Sequence, residues 1–269
     1  MLTKNNWYTS NIKERLKDPS TNLKVDMNLY PFEMMDFNSA AKMTAIEISK
    51  NFDNLYLAYS GGYDSDFILR LFVGLGLPVT PVIVMLGNEK ESSFALETCK
   101  ELNVVPDIIN LSESEFLNTL FNKTMTINGQ GVNNVQTLTV AEYVNNKNGV
   151  LLTGNHLIGD DGYIEEDDPI LYACEWDFYT EIFYPNLTNI DVLLYNPEIA
   201  FAPLLTIDAY RGKEWNEFRK DLYVLEYHKK LKPEYSPKLT RVIQNIMNMR
   251  PYRPEAYYTW TKSQLLNML

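Results

Sequence analysis

Leu55-Tyr56-Leu57-Ala58-Tyr59-Ser60-Gly61-Gly62-Tyr63-Asp64-Ser65 is the stretch on which the fold turns. Its first five residues have the length and apolar character of a buried strand. A glycine pair interrupts the run, and residues 64–75 then read as helix, closed by Gly74 and Gly76. A strand that passes through glycines into a helix is built to receive an anion. Gly61 and Gly62 carry no Cβ to block it, and the first helical amides point at it. Ser60 and Ser65 add neutral donors, and Tyr63 opens the helix beside them. Asp64, in the first turn, either holds loop amides or binds a magnesium ion that touches phosphates. A ligand-free turn is the other reading of the glycines. The stretch lacks the Gly-Lys-Ser/Thr ending of a Walker loop and the Gly-x-Gly-x-x-Gly spacing of dinucleotide folds.

Working outward, residues 79–86 read as a second buried strand, 92–102 as a helix with Cys99 on its core side, and 107–111 as strand. A helix over 135–144 leads into a strand at 149–153. Strands alternating with helices imply an α/β fold: an open parallel sheet with right-handed crossovers and helices on both faces. In such a sheet ligands sit at the carboxyl ends of the strands, where the Ser60 and Gly154 loops both fall. Before this body, residues 1–36 read as an irregular extension packed on it. The body itself spans 37–210, and 211–269 reads as a helical C-terminal segment, with helices around 218–230, 238–249 and 255–269.

Among the 269 residues 45% are apolar, enough for a core without staples. Two cysteines, Cys99 and Cys174, make no zinc ribbon, cluster or secreted disulfide framework. No apolar run reaches the roughly 20 residues of a membrane span, and residues 1–17 lack a signal-peptide stretch, so the expectation is a cytoplasmic protein with no membrane partner. The net charge of −11 argues against wholesale nucleic-acid binding. From Arg211 onward, however, 12 basic residues face 6 acidic ones. That tail is either a solvated helical surface or a site for a polyanion.

Residues 58–65 resemble the PP-loop of the N-type ATP pyrophosphatases, the HUP-like superfamily that includes asparagine synthetase, NAD synthetase and tRNA-modifying enzymes. The resemblance covers about residues 38–205 and implies ATP and Mg2+ as cofactors, with cleavage between the α and β phosphates. With only two cysteines the sulfur-transfer branches are not expected. Residues 87–104 are similar to the second strand and helix of the asparagine synthetase C-terminal domain, where the loop meets adenine. Leu86, at that strand's end, is a candidate nucleotide contact. Leu151-Leu152-Thr153-Gly154-Asn155-His156-Leu157-Ile158-Gly159-Asp160-Asp161-Gly162-Tyr163 is similar to the loop that closes over pyrophosphate and substrate there, and to the Gly-Thr-Gly-Asn loop of NAD synthetase.

The resemblance therefore adds Gly154 and Asn155 to the nucleotide contacts. It leaves Asp160 and Asp161 either as a solvated acidic loop or as ligands for an amine or for magnesium, Asp160 being the metal candidate alongside Asp64. His156 is a candidate base or phosphate donor. Arg211 and Lys213 are either surface cations or the charges that offset the departing pyrophosphate. The expected function is an adenylating ligase or amidotransferase acting on a small-molecule acceptor, its nitrogen supplied as ammonia, by a separate amidase or by an amine. The alternatives are a tRNA or nucleobase modification enzyme using the basic C-terminal helices, and a non-catalytic nucleotide-binding protein. A homo-oligomer is compatible with all three.

Overall fold

A computed structural model describes residues 7–11, 14, 25–86, 89–124, 134–154, 164, 169–174, 179–225, 236–249 and 257–261. The stretch that decides the fold becomes β3 (Leu55–Ala58) and α2 (Tyr63–Gly74). β4 (Thr80–Met85), α3 (Glu89–Glu101), β5 (Asp107–Asn110), α4 (Glu113–Asn122), α5 (Asn134–Asn146) and β6 (Val150–Thr153) follow, with β8 at Thr188–Asp191. These five strands form one sheet in the order β5-β4-β3-β6-β8, and every pairing is parallel. Leu57 lies opposite Pro81 on one side and Leu152 on the other.

Side-chain alternation in the strands builds a core on each face. Leu55, Leu57, Ile83 and Leu152 face a large cluster with Phe67, Ile68 and Phe72 of α2, Ala95 and Cys99 of α3, and Ala41, Ala45 and Ile48 of α1 (Phe37–Asn51). Their neighbours Tyr56, Ala58, Val82, Val84 and Leu151 turn the other way, toward Val140, Ala141 and Val144 of α5. Helices therefore cover both faces, as a parallel sheet requires. Burial pushes the Cys99 thiol up to about 11, with the Asp66 charge adding to it, so this cysteine is an inert core residue.

The extension at 1–36 contains a two-stranded antiparallel ladder, β1 (Tyr8–Ser10) and β2 (Val25–Met27). It packs on the body through Trp7, whose Nε1 donates to the Leu194 carbonyl at 2.9 Å and whose ring lies 5.7 Å from Phe201. Residues 192–210 are short helical turns, including α7 (Pro197–Phe201), and bury Leu193, Phe201 and Ile207 completely. α4 starts in a capping box: Ser112 accepts from the Glu115 amide while Glu115 accepts from the Ser112 amide.

In the C-terminal segment α9 (Pro237–Met249) lies where a helix is expected, whereas α8 (Trp215–Leu222) starts before the expected 218–230 helix and ends at Leu222. The helix expected over 255–269 is not found at β9 (Tyr257–Thr261), which pairs antiparallel with β7 (Pro169–Cys174). Tyr257-Tyr258-Thr259-Trp260-Thr261 is aromatic and β-branched, and a strand partner far away in the chain overrides any local helical pattern. Among the described residues no helix is long and apolar enough to cross a membrane.

α8 stops at Leu222 in a Schellman arrangement, with the Leu225 amide bonded to the Lys220 carbonyl and the Val224 amide to Asp221. Val224 thus occupies the left-handed position at φ 53°, where glycine is the usual residue and a β-branched side chain is strained. It is 69% exposed, so little packing depends on it. Val224→Gly should raise the unfolding free energy by about 0.5–1 kcal/mol, relief of strain outweighing the entropy cost of glycine. Urea titration against the parent chain measures it, and a destabilised variant would show that the side chain's contacts outweigh the strain.

Candidate active site

After β3 the chain builds β4 and β5 on one side of it and then returns to build β6 and β8 on the other. No crossover covers the carboxyl ends of β3 and β6, so a crevice opens where the strand order reverses. A cavity of about 300 Å³ lies there. Its walls are the β3–α2 loop with Ser60, Gly62, Tyr63, Asp64 and Ser65, the strand residues Val82, Ile83 and Val84, Ser92 of α3, Gln136, Thr137 and Val140 of α5, Thr153 and Gly154, and Asn216 and Arg219 of α8.

Two hydroxyls shape the loop. Ser60 Oγ accepts from the Gly62 amide at 3.2 Å and lies 3.2 Å from Ser65 Oγ, which in turn donates to the Gly62 carbonyl at 3.1 Å. Gly62 is the N-cap of α2 and, having no side chain, makes no cap bond of its own. The helix start is thereby presented to the cavity with its positive dipole end and two serine hydroxyls beside it.

The two glycines have different duties. Gly61 has φ 72°, and a Cβ there would come within 3.2 Å of Ala95 Cβ and 3.3 Å of the Ala95 amide. It lets α3 pack against the loop. Gly62 has an ordinary φ of −76°, and a Cβ would meet only Ser60 Oγ at 3.2 Å. Gly154 is a third close approach, since its Cβ would fall 2.5 Å from Ile68 Cδ1. Glycine there lets the end of β6 lie against α2 without displacing the Ile68 side chain.

Two carboxylates sit in the first turn of α2. Asp66, 1% exposed, accepts from the Tyr59 hydroxyl at 2.8 Å and from Arg70 Nε at 3.0 Å. Arg70 forks onto Glu101 of α3 at 3.0 and 3.1 Å. This row ties the end of β3 to α2 and α3. Asp64 faces the cavity instead. Its Oδ1 accepts from the Tyr223 hydroxyl at 2.5 Å, and its Oδ2 lies 3.9 Å from Arg219 Nη1. Tyr223 is stacked on Phe67 with ring centroids 4.6 Å apart. Burial and the Asp64 charge raise its pKa well above the ordinary tyrosine value, so the phenol remains a donor.

Of the two magnesium candidates, Asp64 lies at the cavity and Asp160 lies outside the described residues. Asp64 is the one carboxylate among the cavity's described lining, and its oxygens already face a phenol and a guanidinium. Among the described residues no group of three or more His, Cys, Asp or Glu could hold a metal.

Of the residues singled out in the sequence, Ser60, Gly62, Tyr63, Asp64, Ser65 and Gly154 meet at the cavity, and Gly61 backs onto α3. Leu86 lies instead in a core cluster with Phe116, Val135 and Leu239, because the end of β4 is covered by α4 and α9. Arg211 and Lys213 are not among the lining residues: Arg211 Nε is 3.6 Å from Asp208, and Lys213 Nζ is 3.4 Å from Glu217 and 4.6 Å from the Tyr210 ring. Asn155, His156, Asp160 and Asp161 lie outside the described residues.

The lining cation that sequence reasoning misses is Arg219. It is legible in retrospect, since Trp215, Phe218, Arg219 and Leu222 share the buried face of α8, and a charge on an apolar face needs a reason. Thr153 is another omission. Its Oγ1 is buried at the cavity wall with no hydrogen-bond partner among the described residues.

No protein-family model and no curated protein matches the chain. Solved structures do resemble it. A predicted subunit of tRNA methyltransferase from Methanocaldococcus jannaschii aligns at a TM-score of 0.40 and 17% identity, covering 77% of this chain and 96% of that one. NMN synthetase from Francisella tularensis aligns at 0.37 and 15%, covering 80% and 94%. NH3-dependent NAD synthetase from Campylobacter jejuni aligns at 0.37 and 18%, with the same coverages. At these values the chemistry rests on this chain's own residues.

Gly61→Ala should cost about 2 kcal/mol or more in stability, from the left-handed backbone and the Ala95 contact together. Gly62→Ala should stay within about 1 kcal/mol of the parent yet weaken ATP binding, because its new methyl sits at the helix start. Thermal melts and calorimetric ATP titration separate the two. Equal ATP affinity in the Gly62 variant and the parent would reduce that glycine to a turn residue.

Proposed function

We propose that the chain is an ATP-dependent adenylating enzyme that forms AMP and pyrophosphate while activating a carboxylate or carbonyl for attack by ammonia or an amine. The observation that carries this reading is the start of α2 at the cavity wall, framed by Ser60, Gly62 and Ser65, at the switch point of the parallel sheet. Such a cradle grips the phosphate chain by neutral donors and a dipole. The loop contains no lysine that would polarise a γ-phosphate, as phosphoryl-transfer loops do. The β and γ phosphates held there become a leaving group.

In the first step an acceptor carboxylate oxygen attacks the α-phosphorus. The bond from that phosphorus to the α–β bridging oxygen breaks, and its electron pair leaves with pyrophosphate. In the second, the amine nitrogen attacks the acyl carbon, AMP departs with the carboxylate oxygen, and the nitrogen gives up a proton. Orienting the acceptor against the nucleotide supplies much of the rate. Gln136, Thr137, Thr153 and Asn216 offer neutral hydrogen-bonding groups for that purpose. His156, Asp160 and Asp161, which follow β6 in sequence, serve the acceptor and its amine in this reaction.

Incubating the protein with α-labelled ATP, magnesium, ammonium and a panel of carboxylic acids should yield labelled AMP that depends on one of the acids. Labelled ADP as the dominant enzyme-dependent product would sink the reading, because the bond broken would then be the β–γ one.

A further inference from the structure

Arg219 stands at the nucleotide cavity but comes from the C-terminal segment, not from the α/β sheet. Its side chain is 5% exposed. Removing a guanidinium from water is costly, and natural proteins do so where the charge meets an anion. Asn216, one turn earlier on α8, accepts from its Nη2 at 2.7 Å and so fixes the plane of the fork. Nη1 lies 3.9 Å from Asp64 Oδ2, and the guanidinium carbon lies 5.9 Å from the Tyr63 ring centroid. Tyr63 and Asp64 are the first two residues of α2, so the guanidinium is beside the helix start that forms the cradle.

A separation of 3.9 Å is longer than a charge-assisted hydrogen bond, which closes to about 2.7–2.9 Å. The tighter bond of Asp64 is the one from Tyr223. That phenol turns the carboxylate so that one oxygen is committed to the interior and the other borders the guanidinium. Arg219 is therefore oriented by neighbours on both sides while lining the open space.

Resting on the nucleotide reading above, we propose that Arg219 binds the phosphate chain of ATP, and that Asn216, Asp64 and Tyr223 are the residues that position it. Segment 215–223 is then part of the active site, and the offsetting charge comes not from Arg211 or Lys213 but from six to eight residues further along.

The test is calorimetric titration of the full chain with ATP, inorganic pyrophosphate and adenosine, comparing the parent with Arg219→Ala, Arg219→Gln and Arg219→Lys. In the Ala and Gln variants the affinities for ATP and pyrophosphate should fall about 10- to 100-fold, the size of a lost hydrogen bond to a charged group. Adenosine, which has no phosphate, should bind as it does to the parent. Arg219→Lys should recover part of the loss, keeping the charge without the fork. Parent-like pyrophosphate and ATP binding in the Ala and Gln variants would overturn the role of Arg219 while leaving the nucleotide reading intact. A parallel loss of adenosine would overturn it too, since the residue would then be a wall support. A parent chain that binds neither ATP nor adenosine would overturn the nucleotide reading itself and this inference with it.

Discussion

The hydrogen bond from Tyr223 to Asp64 joins residues 159 positions apart and governs how the site is assembled. Asp64 is 7% exposed at the start of α2, and a buried carboxylate without a donor would cost several kcal/mol. The donor has to come from outside the sheet, because the loop's own hydroxyls are engaged with one another and with Gly62. Tyr223 meets the need by inserting its ring against Phe67 and Phe37, which locks the end of α8 over the first turn of α2. Once that end is placed, Trp215 and Phe218 enter the main core, and Arg219 and Asn216 have only the cavity side left to them.

Close backbone approach is the second constraint, and it works with the first. Gly154 brings the end of β6 against Ile68 and Asp64, while Gly61 brings α3 against the loop. The cradle is thus pressed from two sides by elements that cannot retreat without opening the core. The Asp66–Arg70–Glu101 row holds the same junction by charge, tying α2 to α3 behind the loop. A loop confined in this way keeps its amides in place before a ligand arrives, which is the condition for electrostatic preorganisation.

What the sequence made legible was local. The strand, glycine pair and helix at residues 55–74 announce themselves because each signal adjoins the next, and the alternation that follows fixes a parallel sheet by the need to cover both faces. β9 was hidden because its partner, Pro169–Cys174, lies in a distant part of the chain, and aromatic residues at mixed spacing fit a helix as readily as a strand. β8, Thr188-Asn189-Ile190-Asp191, has one apolar residue and no apolar run to mark it, and the capping box at Ser112 marks a helix start that a search for apolar periodicity passes over. Leu86 followed from counting to the end of a strand, yet α4 and α9 close over that end. Arg211 and Lys213 drew attention as cations beside an apolar stretch, whereas the one that reaches the cavity is set among the apolar residues of α8.

That last difference has a physical reading. A cation on a polar surface is solvated and costs little to place, so its presence carries little information. A cation on the buried face of a short amphipathic helix breaks the pattern that folds the helix, and such local conflicts collect at functional sites. Here the conflict is resolved by Asn216, Asp64 and the Tyr63 ring, three neighbours that orient the guanidinium at the edge of the cavity. Asp64 is thereby drawn away from the role its position suggests. A carboxylate beside a phosphate cradle would repel the anion, but one that shares its charge with a guanidinium and accepts from a phenol presents a nearly neutral wall. On the proposed reading the phosphate chain would meet helix amides, hydroxyls and a guanidinium, with the charge of Asp64 holding that guanidinium in place.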